Sequence, residues 1–280
     1  MRGTSYAAGE RLTPQIAEYL TEAQIQQGLK TTFVGSKIYA FGVLKSTNDY
    51  AFRLAEDGAP EGSVVIAEEQ TAGRGRFGRV WHSPPGVGIW CSIIFRPALF
   101  PWEAPRMTSM AALAVARSIR NITNQLVVLK WPNDILIEDR KVCGILTELS
   151  AEVGSTNFVI SGIGLNVNQR REAFHKDIQD KATSLRIECG SEISRIHILQ
   201  SLFMELESVY CQMMETGFSS LRQEIKSMSC IMQRMVVVRL RNRTYQGKVL
   251  DVDDQGYLVL ERANGHVEHI IAGDVSLLEE

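Results

Sequence analysis

Residues 126–149 read LVVLKWPNDILIEDRKVCGILTEL. Leu126–Lys130 is apolar and rich in valine, and it breaks at Trp131-Pro132. Proline removes a donor and fixes the chain, so a strand ends there in a turn. Ile135–Ile137 and Val142–Leu149 are two further strand-like runs. Strands joined by turns this short lie beside one another, which makes a sheet the frame of the protein. The same reading brings Lys130 and Lys141 onto neighbouring positions. Two ammonium groups held together need an anion between them. Two unrelated surface lysines at strand ends fit the segment equally well when it is taken alone.

Working outward, Lys37–Leu44 and Ser63–Ala67 read as strands, and so does Gly88–Phe95, closed by Pro97. Thr47 or Asn48 caps a helix that runs to about Glu56 and is ended by Gly58. Pro105 opens a long helix with Met107, Met110, Ala111, Leu113, Ala114 and Ile119 at helical spacing. Asn157–Ile163 is a strand, and a second long helix covers roughly Ser194–Thr216. One short amphipathic stretch, Ile16–Leu29, precedes all of these. From Met235 the character changes to short strands and turns, VVVRLRN, YQGKVLDV, GYLVLE and HVEHIIA, with turns at Asn242-Arg243 and Asp254-Gln255-Gly256. A small closed β-barrel therefore follows an α+β domain, and the boundary falls near residues 228–234.

The chain has 280 residues, 45% of them hydrophobic, which is enough for a sizeable core. With 30 basic and 32 acidic residues the net charge is −2, so any anion site has to be local. Cys91, Cys143, Cys189, Cys211 and Cys230 are odd in number and scattered, without a CxxC pair. They read as buried thiols of a cytoplasmic protein, not a disulfide frame or a zinc site. No stretch approaches a membrane span. His82, His175, His197, His266 and His269 show no metal spacing and read as structural or solvated.

Five segments carry chemistry. Gly73-Arg74-Gly75-Arg76-Phe77-Gly78-Arg79 follows Gln70-Thr71-Ala72. Its glycines free the backbone, and its arginines are rigid cationic forks suited to phosphate or carboxylate. It matches neither a Walker loop nor a dinucleotide fingerprint. A basic surface loop or an RNA contact fits it too. Lys130-Trp131-Pro132-Asn133-Asp134 presents an amide and a carboxylate at a turn. Arg140-Lys141-Val142-Cys143-Gly144-Ile145-Leu146 adds a second lysine, with a glycine for close approach. Gly162-Ile163-Gly164-Leu165-Asn166-Val167-Asn168 places alternate glycines on one strand face as a flat floor. Ser46-Thr47-Asn48 is a hydroxyl cluster that caps a helix or meets a ligand.

Taken in this order, STN, QTAGRGRFGRVWHSPPGVGIWCSI, KWPNDI, RKVCGIL, GIGLNVN and the ATSL at 182–185 resemble the biotin–protein ligase family, in its form without an N-terminal winged helix. The resemblance runs from about residue 36 to the C-terminal barrel. It implies an α+β fold: a class II synthetase-like catalytic domain, a mixed sheet with helices, at 36–230, and a small SH3-like β-barrel at 231–280. Residues 1–35 would be a short extension.

The resemblance also implies an ATP-dependent biotin–[acetyl-CoA-carboxylase] ligase that forms biotinyl-5′-AMP and passes biotin to a lysine of a biotin carboxyl carrier protein, with Mg²⁺ as cofactor. Biotin would be held by Ser46, Thr47, Asn48, Gln70, Gly73, Arg74, Lys141, Gly144, Ile145, Gly162 and Gly164. ATP or the adenylate would meet Arg76, Arg79, Trp81, Asn133, Asp134 and Asn166. Arg74, Lys130 and Lys141 would be the catalytic side chains, with Lys130, Asn133, Asp134 and Asn166 facing the phosphates and magnesium. No protein-held metal site is expected. Some relatives also repress transcription, but the first 35 residues hold at most one helix, so no specific DNA binding is expected. A homodimer is left open. The rival readings are a lipoate or octanoate ligase of the same fold, a biotin-sensing repressor, and an RNA-binding protein using the arginine-rich loop.

Overall fold

In the computed structural model of the protein the described residues are 19–240 and 243–278. Ile16 to Glu18 of the amphipathic stretch and Asn242 of the Asn242-Arg243 turn lie outside them. Within the described part of that stretch the helix is α1, Glu22–Gln26, held by a Thr21/Gln24 capping box.

Seven strands form one mixed sheet: β1 (Ile38–Leu44), β2 (Val64–Gln70), β3 (Gly88–Phe95), β4 (Val128–Lys130), β5 (Asp134–Ile137), β6 (Arg140–Glu152) and β7 (Ser155–Asn166). Their order is β1-β2-β3-β7-β6-β5-β4. β1 and β2 are parallel, and the other neighbours are antiparallel. The β5–β6 turn has both Glu138 and Asp139 at positive φ, the type I′ pattern that suits a two-residue hairpin.

Side chains alternate between the faces of a strand. Val64 and Ile66 of β2, with Ile93 and Phe95 of β3, belong to the large core. Over them lie the helices α3 (Ala104–Thr123) and α5 (Arg195–Thr216), whose buried stripes supply Met107, Met110, Leu113, Ile198, Leu202 and Phe203. Val65, Ile94, Phe158 and Ile160 point the other way and pack under α2 (Thr47–Glu56) with Ala51 and Ala55. The cap of α2 is Ser46, whose side chain accepts from Asp49 N. That is one residue earlier than expected, and it puts Thr47 and Asn48 inside the first turn. The periodicity did not reveal two shorter helices, α4 (Leu185–Cys189) and α6 (Ser219–Met228).

The C-terminal strands β8 (Met235–Leu240), β9 (Arg243–Val252), β10 (Leu258–Glu261), β11 (Val267–Ile270) and β12 (Asp274–Leu277) form a separate antiparallel sheet in the order β11-β10-β9-β8-β12. A mixed sheet with helices followed by a small all-β unit is the architecture expected. The small unit has its own core of Val236, Val238, Val249, Leu258 and Leu260, and one residue of that core comes from outside it. Trp131, only 7% exposed, inserts there, and its Nε1 donates to Gly256 O at 3.1 Å. The tryptophan of KWPND thus ties the seven-stranded sheet to the small one.

Trp131→Ala removes a large buried side chain from the small core and leaves the Gly256 carbonyl without its donor. Equilibrium denaturation should show a loss of about 3–5 kcal/mol. A loss under about 1 kcal/mol would mean that Trp131 does not join the two sheets energetically.

Candidate active site

The site is built on a floor without side chains. Gly144 of β6 faces Gly164 of β7 in the ladder, and Leu146 faces Gly162. A Cβ at Gly162 would lie 1.9 Å from Asn48 Oδ1, and one at Gly164 would lie 2.4 Å from Trp81 Nε1. Neither position tolerates a larger residue, so α2 and Trp81 rest directly on the sheet.

One end of the floor is a neutral hydrogen-bonded cluster. Thr47 N and Oγ1 donate to Gln70 Oε1 at 2.9 and 3.0 Å, and Gln70 Nε2 donates to Ser83 Oγ at 2.9 Å. Ser92 Oγ is 2.8 Å from Thr47 Oγ1 and 2.6 Å from Asn48 Oδ1. Asn48 Nδ2 donates to Leu146 O and Glu148 Oε2.

The arginine-rich loop folds over the middle as a tight hairpin. Trp81 N donates to Gly73 O at 2.8 Å and Gly75 N to Arg79 O at 2.7 Å. Phe77 sits at the tip with φ 56°, and Arg76 and Arg79 approach its ring. Arg74, Arg76, Arg79 and Lys141 each have a carboxylate partner. Arg74 pairs with Asp49 and with Glu148 at 3.0 Å. Arg79 pairs with Asp274 of β12. Arg76 donates to Asn133 Oδ1 at 3.0 Å and to Gly273 O at 3.2 Å. Burial pulls the Arg76 guanidinium below its usual range, with the Asp134 charge opposing that shift. Lys141 Nζ is 2.6 Å from Asp134 Oδ1 and 5.1 Å from the centre of the Trp81 ring.

Asn133 is fixed from both sides. Its Nδ2 donates to Ile145 O at 2.8 Å, and its own carbonyl accepts from Ile145 N at 3.0 Å. The Trp131-Pro132 bond before it is cis.

A cavity of about 820 Å³ collects these groups. Of the residues named from the sequence, Ser46, Thr47, Asn48, Gln70, Arg74, Arg76, Arg79, Trp81, Asn133, Asp134, Lys141, Gly144, Ile145, Gly162, Gly164 and Asn166 line it. Gly73 does not. It supports the loop from behind, where a Cβ would strike Trp81 O at 2.4 Å. Lys130 is the larger departure. It is not among the lining residues, and it is not beside Lys141. β5 runs between β4 and β6, so Lys130 stands opposite Asp134 and Lys141 opposite Leu136. The anion that meets Lys141 is the protein's own Asp134.

The sequence reading missed the cavity's other end. Gln169, Phe174, Ile178 and Ala182 line it, from a segment that showed no periodic pattern. Asp274 enters from the far sheet, and its only advance signal was the presence of that sheet. His82 and His175 stand at the exposed rim, and no cluster of three histidine, cysteine or acidic side chains able to hold a metal occurs among the described residues. Cys91 also lines the cavity, but burial pushes its thiol up to about 12, which makes it a poor nucleophile at neutral pH. The arrangement can therefore hold a ligand with a neutral polar head and an anionic middle, and no side chain is poised for covalent attack.

Comparison with known proteins agrees with this geometry. The model of the biotin/lipoate A/B protein ligase family matches residues 40–166, and that of the biotin protein ligase C terminal domain matches residues 233–278. The bifunctional ligase/repressor BirA of Bacillus subtilis is 40% identical over 258 residues, 92% of this chain and 79% of that protein. The biotin–[acetyl-CoA-carboxylase] ligase of Mycobacterium tuberculosis is 35% identical over 82% of this chain and 85% of its own length. Among solved structures, the biotin protein ligase from Aquifex aeolicus in complex with biotin and ATP superposes with a TM-score of 0.74 at 29% identity, covering 88% of this chain and 100% of that one.

Gly164→Ala places a methyl group where the Trp81 indole lies. The expected result is a loss of about 1–3 kcal/mol from overpacking, together with a red-shifted indole emission absent from a Trp81→Phe, Gly164→Ala double variant. Unchanged stability and emission would show that Trp81 does not rest on the floor in solution.

Proposed function

The chain belongs to the biotin–protein ligases of the biotin/lipoate A/B protein ligase family, and from that membership we propose how this cavity activates biotin with ATP and delivers it to a protein lysine. The observation that carries the reading is a single cavity with a neutral cluster at one end and a cationic middle. Biotin has the matching form, an uncharged ureido ring joined by an apolar chain to a carboxylate. Thr47, Gln70 and Asn48 offer the ring donors and acceptors, and the glycine floor accepts the chain. Arg74, Arg76, Arg79 and Lys141 face the carboxylate and the phosphates.

Two anions must meet in the first step. A carboxylate oxygen attacks the α-phosphorus of ATP, the bond to the bridging oxygen breaks, and pyrophosphate leaves with the electron pair. Lys141 and the arginines offset the repulsion and stabilise charge at the phosphorus. Holding both substrates on one floor converts the encounter into an intramolecular step, worth about 7–11 kcal/mol in favourable cases. The loop then shields biotinyl-5′-adenylate from water. In the second step the neutral amine of the acceptor lysine attacks the acyl carbon and AMP departs, so no nucleophile of the enzyme is needed. A biotin carboxyl carrier protein is the acceptor we propose. Mg²⁺ belongs to the same proposal: such a cation is held by one or two carboxylates plus substrate phosphates, Asp134, with Asn133 beside it, would supply the protein's share, and the cation would help neutralise phosphate charge. All five cysteines are free, which fits a reducing compartment, the cytoplasm.

ATP–pyrophosphate exchange with biotin and lipoate in parallel tests the reading. Exchange with biotin alone is expected, and exchange with lipoate alone would overturn it. Lys141→Ala should lower exchange by roughly 100-fold or more, and near-normal exchange would remove Lys141 from the chemistry. Arg74 ties the loop to Asp49 and Glu148. Arg74→Ala should therefore weaken biotin retention and release the adenylate that it still forms into solution, where hydroxylamine trapping reports it. Adenylate retention equal to wild type would show that this tether does not close the site.

A further inference from the structure

Glu68 of β2 is a carboxylate that the chemistry above does not use, and it is only 3% exposed. Arg195, the first residue of α5, meets it at 2.7 Å and is buried as well. Glu68 also holds backbone. Its Oε1 accepts from Leu20 N, and its Oε2 accepts from Gly86 N at 3.2 Å. Arg195 Nη1 in turn donates to Gly88 O at 3.3 Å. Apolar side chains of similar volume often serve stability as well as a buried ion pair does, so stability alone does not account for this one.

The pair grips the segment from Ser83 to Gly88. Gly86, whose N–H reaches Glu68, has φ 77°, a conformation that favours glycine. Pro84 and Pro85 precede it, and their rings fix φ. Little play is left between the anchored Gly86 and Ser83. The Pro84 carbonyl is held too, by Trp90 Nε1 at 3.1 Å. Ser83 is buried, and its hydroxyl accepts from Gln70 Nε2 at 2.9 Å.

Gln70 has one orientation open to it. Thr47 N can only donate, so the amide presents Oε1 to Thr47 and Nε2 to Ser83. A shift of Gly86 therefore moves Ser83. A shift of Ser83 moves Gln70 and the Thr47 hydroxyl bonded to it. None of these hydrogen bonds involves Arg76, Asn133, Asp134 or Lys141, so the effect falls on the neutral end of the cavity.

We infer that Glu68 is a positioning residue for biotin: held by Arg195, it anchors the Ser83–Gly88 segment, and through Ser83 it sets the Gln70 amide. The inference rests on the reading of the neutral end as the site of the ureido ring.

Calorimetric biotin binding and pyrophosphate exchange test this on four proteins. These are wild type, Ser83→Ala, a pair variant carrying Glu68→Met and Arg195→Met, and the triple variant. The pair variant removes both charges together, so neither is left buried alone. It should bind biotin roughly tenfold more weakly. At saturating biotin its kcat and its KM for ATP should stay within about twofold of wild type. Ser83→Ala alone should also weaken biotin binding, and adding it to the pair variant should change the biotin Kd by no more than about twofold. If the pair variant does not fold, Glu68→Asp carries the same comparison, because it keeps the charge and withdraws the carboxylate by one methylene. Wild-type biotin affinity in the folded variant overturns the inference. So does an equal loss toward biotin and ATP, which marks a general structural role, and so does full additivity with Ser83→Ala. Biotin binding by wild type without exchange would sink the ligase reading alone, and the biotin affinities would still decide the role of Glu68. Absence of biotin binding by wild type would overturn both.

Discussion

Arg74, Arg76, Arg79 and Lys141 share the middle of one cavity because each already has a carboxylate. Arg74 is held by Asp49 and Glu148, Arg79 by Asp274, and Lys141 by Asp134, with Arg76 reaching Asp274 at 4.0 Å. Clustered unpaired cations would repel one another and resist burial. The pairs decide where the elements go. Asp49 brings in α2, Glu148 brings in β6, Asp134 the KWPND turn, and Asp274 the small sheet. An anionic ligand thus enters a site whose charges are already oriented, and it exchanges one set of counter-charges for another. Orientation before binding is what makes such a site effective in stabilising developing charge.

The second determinant is the missing side chains. Gly144 faces Gly164 across the ladder, and Gly162 lies under Asn48. These glycines let Trp81 and the first turn of α2 approach the sheet backbone. The neutral cluster at one end and the cationic loop over the middle consequently share one continuous floor, as a small ligand with two unlike parts requires.

Much of this was legible in the sequence. β3 runs over the residues read as a strand, because its apolar run is bounded by glycine and proline. The floor glycines alternate at the period of a strand, and the arginine spacing marked the loop. What failed was information that lives in register and in distant contacts. Placing Lys130 beside Lys141 overlooked the strand that lies between them, although each turn was read correctly. Gln169 and Phe174 sit in a stretch with no periodicity, positioned by Asn166 and Thr183, so pattern reading had nothing to hold. Asp274 is some 200 residues from its arginine partners, and the charge of one aspartate carries no address. Ser46 in place of Thr47 as the cap of α2 is a one-residue shift of the kind that boundaries commonly show.

Trp131 has a consequence for how the chain can be divided. It leaves the turn that presents Asn133 and Asp134 and ends in the core of the other sheet, while Asp274 returns from that sheet to the cavity. Two crossings in opposite directions make the small unit a wall of the pocket. Fusion, exchange or truncation that treats the C-terminal strands as a detachable module would cut through the active site, and a chimera would have to carry the tryptophan and its matching β-unit together.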